Sequence, residues 1–235
     1  MKNKKIVIVS SFNNAKYTEA RLTKEWIENR LDIFERFTLK GFKAQVNQNF
    51  EAYLQCDETT MSIINECLSH RETLPQNVHF DTVANCNKGI LKDLDQYQFL
   101  YWVRVDSDNI YHKDFVEKLH QYVPKEETEV IISQNGYVYD GRDGALASYY
   151  QPSPPFYAYV YKAEDYINKK RYSSIGGHGN VIKILKYELL EGNNYIVTLH
   201  GKNVLNERHL LKKHLMIENP EKKAILAEFG MDEEI

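Results

Sequence analysis

The stretch Tyr101-Trp-Val-Arg-Val-Asp-Ser-Asp-Asn109 decides how this chain folds. Leu100, Trp102, Val103 and Val105 form a near-continuous apolar run, the pattern of a strand covered on both faces in a parallel sheet. The run stops at Asp106 and Asp108, so two carboxylates fall at the carboxyl edge, where open α/β sheets bind ligands. Such a pair can hold Mg²⁺ or Mn²⁺ against a diphosphate, because these hard cations take one or two protein oxygens and draw the rest from water and phosphate. Short acidic pairs also occur in caps, and Asp108 or Asn109 could instead cap a helix beginning near Lys113. An EF-hand fits poorly: Ile110 stands where that loop needs an oxygen ligand and Tyr111 where it needs glycine.

Working outward, the chain alternates strands with helices. Residues 5–10 read as a first strand, 18–43 as a helix carrying Ile27, Leu31 and Phe34 on one face with Gly41 loosening its end, and 50–57 as a second strand ending in Asp57. Helix 60–69, strand 78–83, short helix 88–94, strand 99–105 and helix 114–122 follow. This order predicts right-handed crossovers and a mainly parallel sheet with helices on both faces. Beyond Pro124 the pattern changes to an extended 129–138, an Asp140-Gly141 turn and a partner at 147–150, which together signal a β-hairpin. A strand over 156–162, a glycine-rich ligand loop over 173–180, a strand over 194–200 and closing helices over 206–217 and 220–229 complete the reading.

A chain of 235 residues is long enough for one α/β domain with a sizeable core. With 30 basic against 33 acidic residues it has no basic footprint, so nucleic acid is not an expected partner. The short apolar run 6–9 is followed at once by Ser10, Ser11, Asn13 and Asn14, which reads as a strand and not as a signal peptide. No segment approaches the length needed to span a bilayer, so any membrane contact is expected to be peripheral. Cys56, Cys67 and Cys86 are odd in number and lack metal-type spacing; they predict reduced, packed thiols in a cytoplasmic protein. The 17 tyrosines and 10 phenylalanines, dense between Tyr137 and Tyr172, suit stacking on a sugar or base but equally suit a packed sheet.

In their order along the chain, Trp26 through Arg30, Phe34-Glu-Arg-Phe-Thr-Leu39, Ala44-Gln45 with Phe50, Asp57, Val103-Arg-Val-Asp-Ser-Asp108, Pro155-Phe156 and a later Gly-His pair resemble the GT-A glycosyltransferases and, within them, the putative rhamnosyltransferase family. The resemblance runs from about Ile6 to Val204. It implies a GT-A-like, Rossmann-like single domain over 1–235, with a nucleotide-sugar-binding half at 1–123, an acceptor half at 124–205 and C-terminal helices at 206–235. It implies a metal-dependent transfer of a sugar, rhamnose or another deoxyhexose, from a nucleotide-diphosphate donor to a glycan or other acceptor, with Mn²⁺ or Mg²⁺ at Asp106 and Asp108.

By the same resemblance Asp57 contacts the nucleoside, unless it merely caps the next helix, and His200 supplies a third metal ligand or phosphate contact, unless it is a hydrogen-bonded core histidine. His178, among three glycines, lines the donor or acceptor pocket. Arg104 and Arg142 are cations that could add to the neutralisation of the diphosphate or be surface charges. An inverting reaction needs a general base, for which Asp165 and Glu164 are the first candidates and Asp140 and Asp143 the next; the former pair also suits the first turn of a helix. Two rival functions remain: a sugar-phosphate nucleotidyltransferase, disfavoured because Ser10 to Asn14 has no glycine, and a non-catalytic nucleotide-sugar-binding module, disfavoured by the intact aspartate pair.

Overall fold

A computed structural model describes residues 2–15, 18–173, 176–203, 211 and 215–232. Among these, seven strands form the main sheet: β1 (Lys2–Ser11), β2 (Glu51–Cys56), β3 (Val78–Thr82), β4 (Tyr97–Arg104), β6 (Val130–Ile132), β9 (Tyr157–Lys162) and β10 (Tyr187–Leu189), in the order β10-β6-β9-β4-β1-β2-β3. Only β9 runs against its neighbours. The strand pleat explains the unbroken apolar runs. Ile6 and Ile8 point into a core shared with α1 (Lys24–Arg36), α2 (Thr38–Ala44), α3 (Met61–Ser69) and α5 (Phe115–Gln121). Val7 and Val9 point to the opposite core, shared with α4 (Val83–Leu91), α6 (Ala163–Ile167) and α7 (Val181–Ile184). The expected mainly parallel sheet with helices on both faces is therefore present.

Adjacent lysines on β1 serve the two faces separately. Lys4, nearly buried, donates from Nζ to the carbonyls of Leu119 (3.0 Å), His120 (2.8 Å) and Tyr122 at the end of α5. Lys5 donates to Gly89 (3.1 Å), Ile90 (3.0 Å) and Lys92 (2.6 Å) at the end of α4. Each ammonium meets carbonyls of the last turn of a helix, where cations are favoured.

A second sheet, in the order β12-β8-β7-β11-β5, contains β5 (Ile110–Tyr111), β7 (Asn135–Asp140), β8 (Ala145–Tyr150), β11 (Asn193–Leu199) and β12 (Met216–Ile217). It shares a smaller core of Phe37, Ile110, Tyr139, Leu146 and Ile196 with Leu226 of α8 (Glu221–Ala227) and with Phe229. The hairpin foreseen around Asp140-Gly141 is β7–β8.

Several elements differ from expectation. The helix expected over 18–43 is a 3₁₀ turn at Glu19–Leu22 followed by α1 and α2, broken at Phe37, whose ring is fully buried in the smaller core. Gly41 lies inside α2, where a Cβ would collide with Ile110 Cγ2, so it permits the close approach of β5. The extended segment 129–138 is two strands in different sheets. Similarly, β5 joins the second sheet from the first half of the chain while β6, β9 and β10 join the main sheet from the second half, so the sheets interleave across the 123/124 division. Helix 206–217 falls mostly outside the described residues, but its expected end, Met216–Ile217, is β12, paired with β8. The three cysteines are buried free thiols, and burial pushes the Cys86 thiol up to about 12. No described helix is long and apolar enough to cross a membrane.

Candidate functional site

β4 ends at Arg104; Val105 N–H still donates to Val9 O (3.3 Å), and the backbone then turns, with Asn109 N–H donating to Asp106 O (3.0 Å). This turn is fixed from three sides. From β11, Thr198 N–H donates to Asn109 Oδ1 (3.0 Å) and Thr198 Oγ1 donates to Asp108 O. From α2, Thr38 Oγ1 donates to Asn109 O (2.8 Å). From α1, Arg30 Nε donates to Ser107 Oγ (2.9 Å) and Arg30 Nη1 to Asp108 Oδ2 (3.2 Å). Ser107, Asn109 and Thr198 are buried, so these bonds are shielded from water and costly to leave unmade.

The turn does not cap the helix that follows. β5 intervenes, and α5 begins after Asp114 without a side-chain cap.

The aspartates line a cleft of about 720 Å³ at the carboxyl ends of β1 and β4. It is lined by Val9, Trp102 and Arg104 near the ends of β1 and β4, by Trp26, Asn29 and Arg30 of α1, and by Tyr149, Gln151, Pro155 and His178 from later in the chain. Asp106 receives Arg104 Nη2 (2.8 Å), whose Nη1 also donates to Pro155 O (2.9 Å). Asp108 is the deeper carboxylate, with its side chain 12 % exposed against 38 % for Asp106. Burial works to raise the Asp108 carboxyl, but Arg30 and His200 more than offset it and hold it below the usual carboxylate range.

His200, its side chain 3 % exposed, lies 3.2 Å from Asp108 Oδ2 through Nε2. Lys202 N–H donates to Nδ1 (3.3 Å), and Nε2 faces both Asp108 Oδ2 and the amide of Asn203 (3.1 Å). His200 thus stands behind Asp108 as its partner.

Among the described residues no group of three or more His, Cys, Asp or Glu side chains surrounds a single point. The donor set nonetheless suits a small divalent cation held by two carboxylates and completed by water and phosphate. Among the described residues both side-chain bonds to Asp108 fall on Oδ2, and Asp106 Oδ2 has only contacts of 3.4 and 3.5 Å, so each carboxylate keeps a lightly used oxygen.

The other expected residues divide between the cleft and elsewhere. Asp57 caps the 3₁₀ turn Glu58–Thr60 by accepting from Thr59 N–H (3.1 Å), and its second oxygen pairs with Arg21 (3.2 Å), which lines the cleft. Arg21 is almost fully buried, and its Nε has no hydrogen-bond partner among the described residues. His178 lines the cleft wall. Arg142 instead grips the buried Asp140 within the hairpin turn, with Nε–Oδ1 at 2.8 Å and Nη2–Oδ2 at 2.7 Å.

Glu164 and Asp165 are not brought to the cleft. They open α6 directly after β9, whose Lys162 pairs with Phe99 near the start of β4, roughly 17 Å of strand away from Arg104 at about 3.4 Å per residue. Asp165 pairs there with Lys170 (3.1 Å), and both acids lie in the first turn of α6.

The sequence reading gave no role to Arg30, Ser107, Thr198 or Arg21. Arg30 carried a signal: a cation one turn beyond Trp26 on an otherwise apolar helix face. The others depend on contacts distant in sequence. Most tyrosines between Tyr137 and Tyr172 pack on one another, as Tyr161 does on Tyr172 (4.6 Å) and Tyr157 on Tyr159 (5.0 Å).

Residues 9–210 match the model of a family described as putative rhamnosyl transferase. Solved structures similar to the chain include TarS of S. aureus in complex with UDP-GlcNAc, at 17 % identity and TM-score 0.45, covering 97 % of this chain and 71 % of that one. The mannosyltransferase PcManGT from Pyrobaculum calidifontis, with GDP-Man and Mn²⁺, is similar at 13 % identity and TM-score 0.40, over 89 % of this chain and 59 % of that one. The inositol-1-phosphate CTP transferase from T. maritima follows at 11 % identity and TM-score 0.38, over 90 % and 96 %. No curated protein matches the chain.

Proposed function

This chain belongs to the glycosyltransferase family described as putative rhamnosyl transferase, and we propose that it moves rhamnose or another deoxyhexose from a nucleoside-diphosphate donor to a hydroxyl of a glycan or other acceptor. The observation that carries the reading is the pair Asp106 and Asp108, held in a fixed turn and lining one cleft at the carboxyl edge of the parallel sheet. Asp106 and Asp108 would hold Mn²⁺ or Mg²⁺, with His200 behind Asp108; the cation supplies neutralisation of the departing diphosphate.

The chain's own residues supply the rest. Arg30 and Arg104 place two guanidinium groups beside the carboxylates, where they favour a diphosphate and can meet charge as it develops on the leaving oxygens. The nucleoside is assigned to the side of the Arg21–Asp57 pair, where Arg21 and Asn13 line the cleft and Asn13 Oδ1 accepts from Asp57 N–H (2.8 Å). The wall bearing Tyr149, Gln151 and His178 is left for the acceptor. Buried, unpaired thiols suit a cytoplasmic setting.

Thermal melting with UDP-GlcNAc, GDP-mannose and dTDP-rhamnose, each with and without Mn²⁺, tests the proposal. A ligand at a hundred times its Kd stabilises by about 2.7 kcal/mol, a shift of several degrees. One donor should raise the midpoint, more so with Mn²⁺, and release its diphosphate on incubation. No shift and no release with any of the three would remove the basis for this reading.

A further inference from the structure

We propose that His178 is the general base of the reaction, taking the proton from the acceptor hydroxyl as that oxygen attacks the sugar. This rests on the glycosyl-transfer reading above. In the step, the acceptor O–H proton passes to an imidazole nitrogen of His178 and the acceptor oxygen bonds to the anomeric carbon. The bond from that carbon to the diphosphate oxygen breaks, and its electron pair leaves with the nucleoside diphosphate.

The assignment follows from which cleft groups are free to accept a proton. Asp106 is bound to Arg104, and Asp108 is bound to both Arg30 and His200. Glu164 and Asp165 lie at the far end of β4. Tyr149 bonds Gln151 Oε1 (3.2 Å), and burial raises its pKa, which leaves its hydroxyl protonated. The His178 imidazole makes no hydrogen bond among the described residues, yet it lines the cleft.

The backbone at this position is anchored, since Ser153 Oγ donates to His178 O (2.7 Å). The glycines on either side of it are uncrowded: a Cβ at Gly177 or Gly179 would meet nothing within 4 Å. The charges facing the ring are Arg104 and Asp106. Burial and Arg104 lower the imidazole pKa while Asp106 opposes them, and the net effect keeps a lone pair available at neutral pH.

Glu25 of α1 is the remaining carboxylate of the cleft without a side-chain partner among the described residues, and it is exposed. It is the rival that the experiment must separate.

The test measures nucleoside-diphosphate release from whichever of the three donors shifts the melting midpoint, with water and then glycerol as the hydroxyl probe. His178→Gln should lower kcat by about 10²–10⁴-fold while calorimetric donor affinity stays within threefold of the parent. His178→Ala should regain rate when imidazole is added, an effect that a loop-positioning role does not produce. Turnover of His178→Gln within threefold of the parent overturns the assignment, as does loss of turnover in Glu25→Gln with His178→Gln active, or failure of imidazole to restore His178→Ala. These results leave glycosyl transfer standing. A parent protein that binds and turns over none of the donors defeats both readings together.

Discussion

The Asp106–Asn109 turn and the glycine-rich segment around His178 face the same cleft but are built in opposite ways. The first is tied by Thr38, Thr198 and Arg30, which reach it from α2, β11 and α1 and bond to it largely out of contact with water. The second is held by a side-chain bond from Ser153 to His178 O and has positive φ at Gly176 (80°) and Gly177 (94°), with nothing within 4 Å of a Cβ placed at Gly177 or Gly179. The difference teaches where each kind of precision is needed. A diphosphate is the constant part of a donor and rewards a preorganised cradle, whereas an acceptor demands clearance and one correctly placed group.

The strongest way to break this contrast is to empty the rigid side. Asp108→Ala should cut turnover by about 10²–10³-fold, the scale for removing one preorganised electrostatic group from a transition state, measured as diphosphate release at saturating donor. Retained turnover would mean that the turn is a structural knot and not part of the site. Next, Thr198→Val keeps the shape of a buried residue but deletes the hydroxyl that donates to Asp108 O; urea unfolding should show a loss of about 1–3 kcal/mol, with a parallel fall in turnover.

The loop should respond differently. Gly177→Ala meets no steric neighbour, so its cost is that of placing a side chain at φ 94°, ψ 177°, a conformation open almost only to glycine, about 1–3 kcal/mol, and its effect should fall on KM for the acceptor as well as on stability. A larger loss in urea would show that the loop is as integral to the fold as the turn.

The smallest effect is a reference outside both segments. Glu188 accepts from Tyr122 OH (2.7 Å), Lys125 N–H (2.8 Å) and Thr128 Oγ1. Burial works to raise its carboxyl pKa, but these donors outweigh it and the net shift is downward. A depressed folded pKa contributes stability that is complete above the unfolded value, about 4.3, and is lost as pH falls through the lower folded value. Glu188→Gln should therefore cost about 1 kcal/mol at pH 7 and nothing once both forms are protonated, with no change in turnover.

How far the sequence told this story depended on whether the information was local. The apolar run through Val105 announced both the central strand and its exit into Asp106 and Asp108, because burial on both faces leaves an unbroken signature that two charges interrupt. The hairpin was equally legible from Asp140-Gly141. The break at Phe37 was hidden, since helix periodicity continues through it and only the distant core of Tyr139 and Phe229 pulls the ring aside. The division of 129–138 between two sheets was invisible because the residues of β6 and β7 have the same strand texture. At the site, Glu164-Asp165 attracted attention as the nearest acidic pair after a strand, but antiparallel pairing of β9 with β4 carries them to the wrong rim. Chain distance said nothing about that reversal.

The two lysines at the start of β1 have a mechanical consequence. Neighbouring residues nail helices of opposite layers to one strand, so α4 and α5 cannot creep along the sheet independently. A slip of one helical turn, about 5.4 Å, would pull three carbonyls away from each ammonium. The sandwich is thereby riveted at the end remote from the cleft, which leaves the loops beyond Ser11 and Arg104 outside the clamped portion, like jaws on a fixed handle.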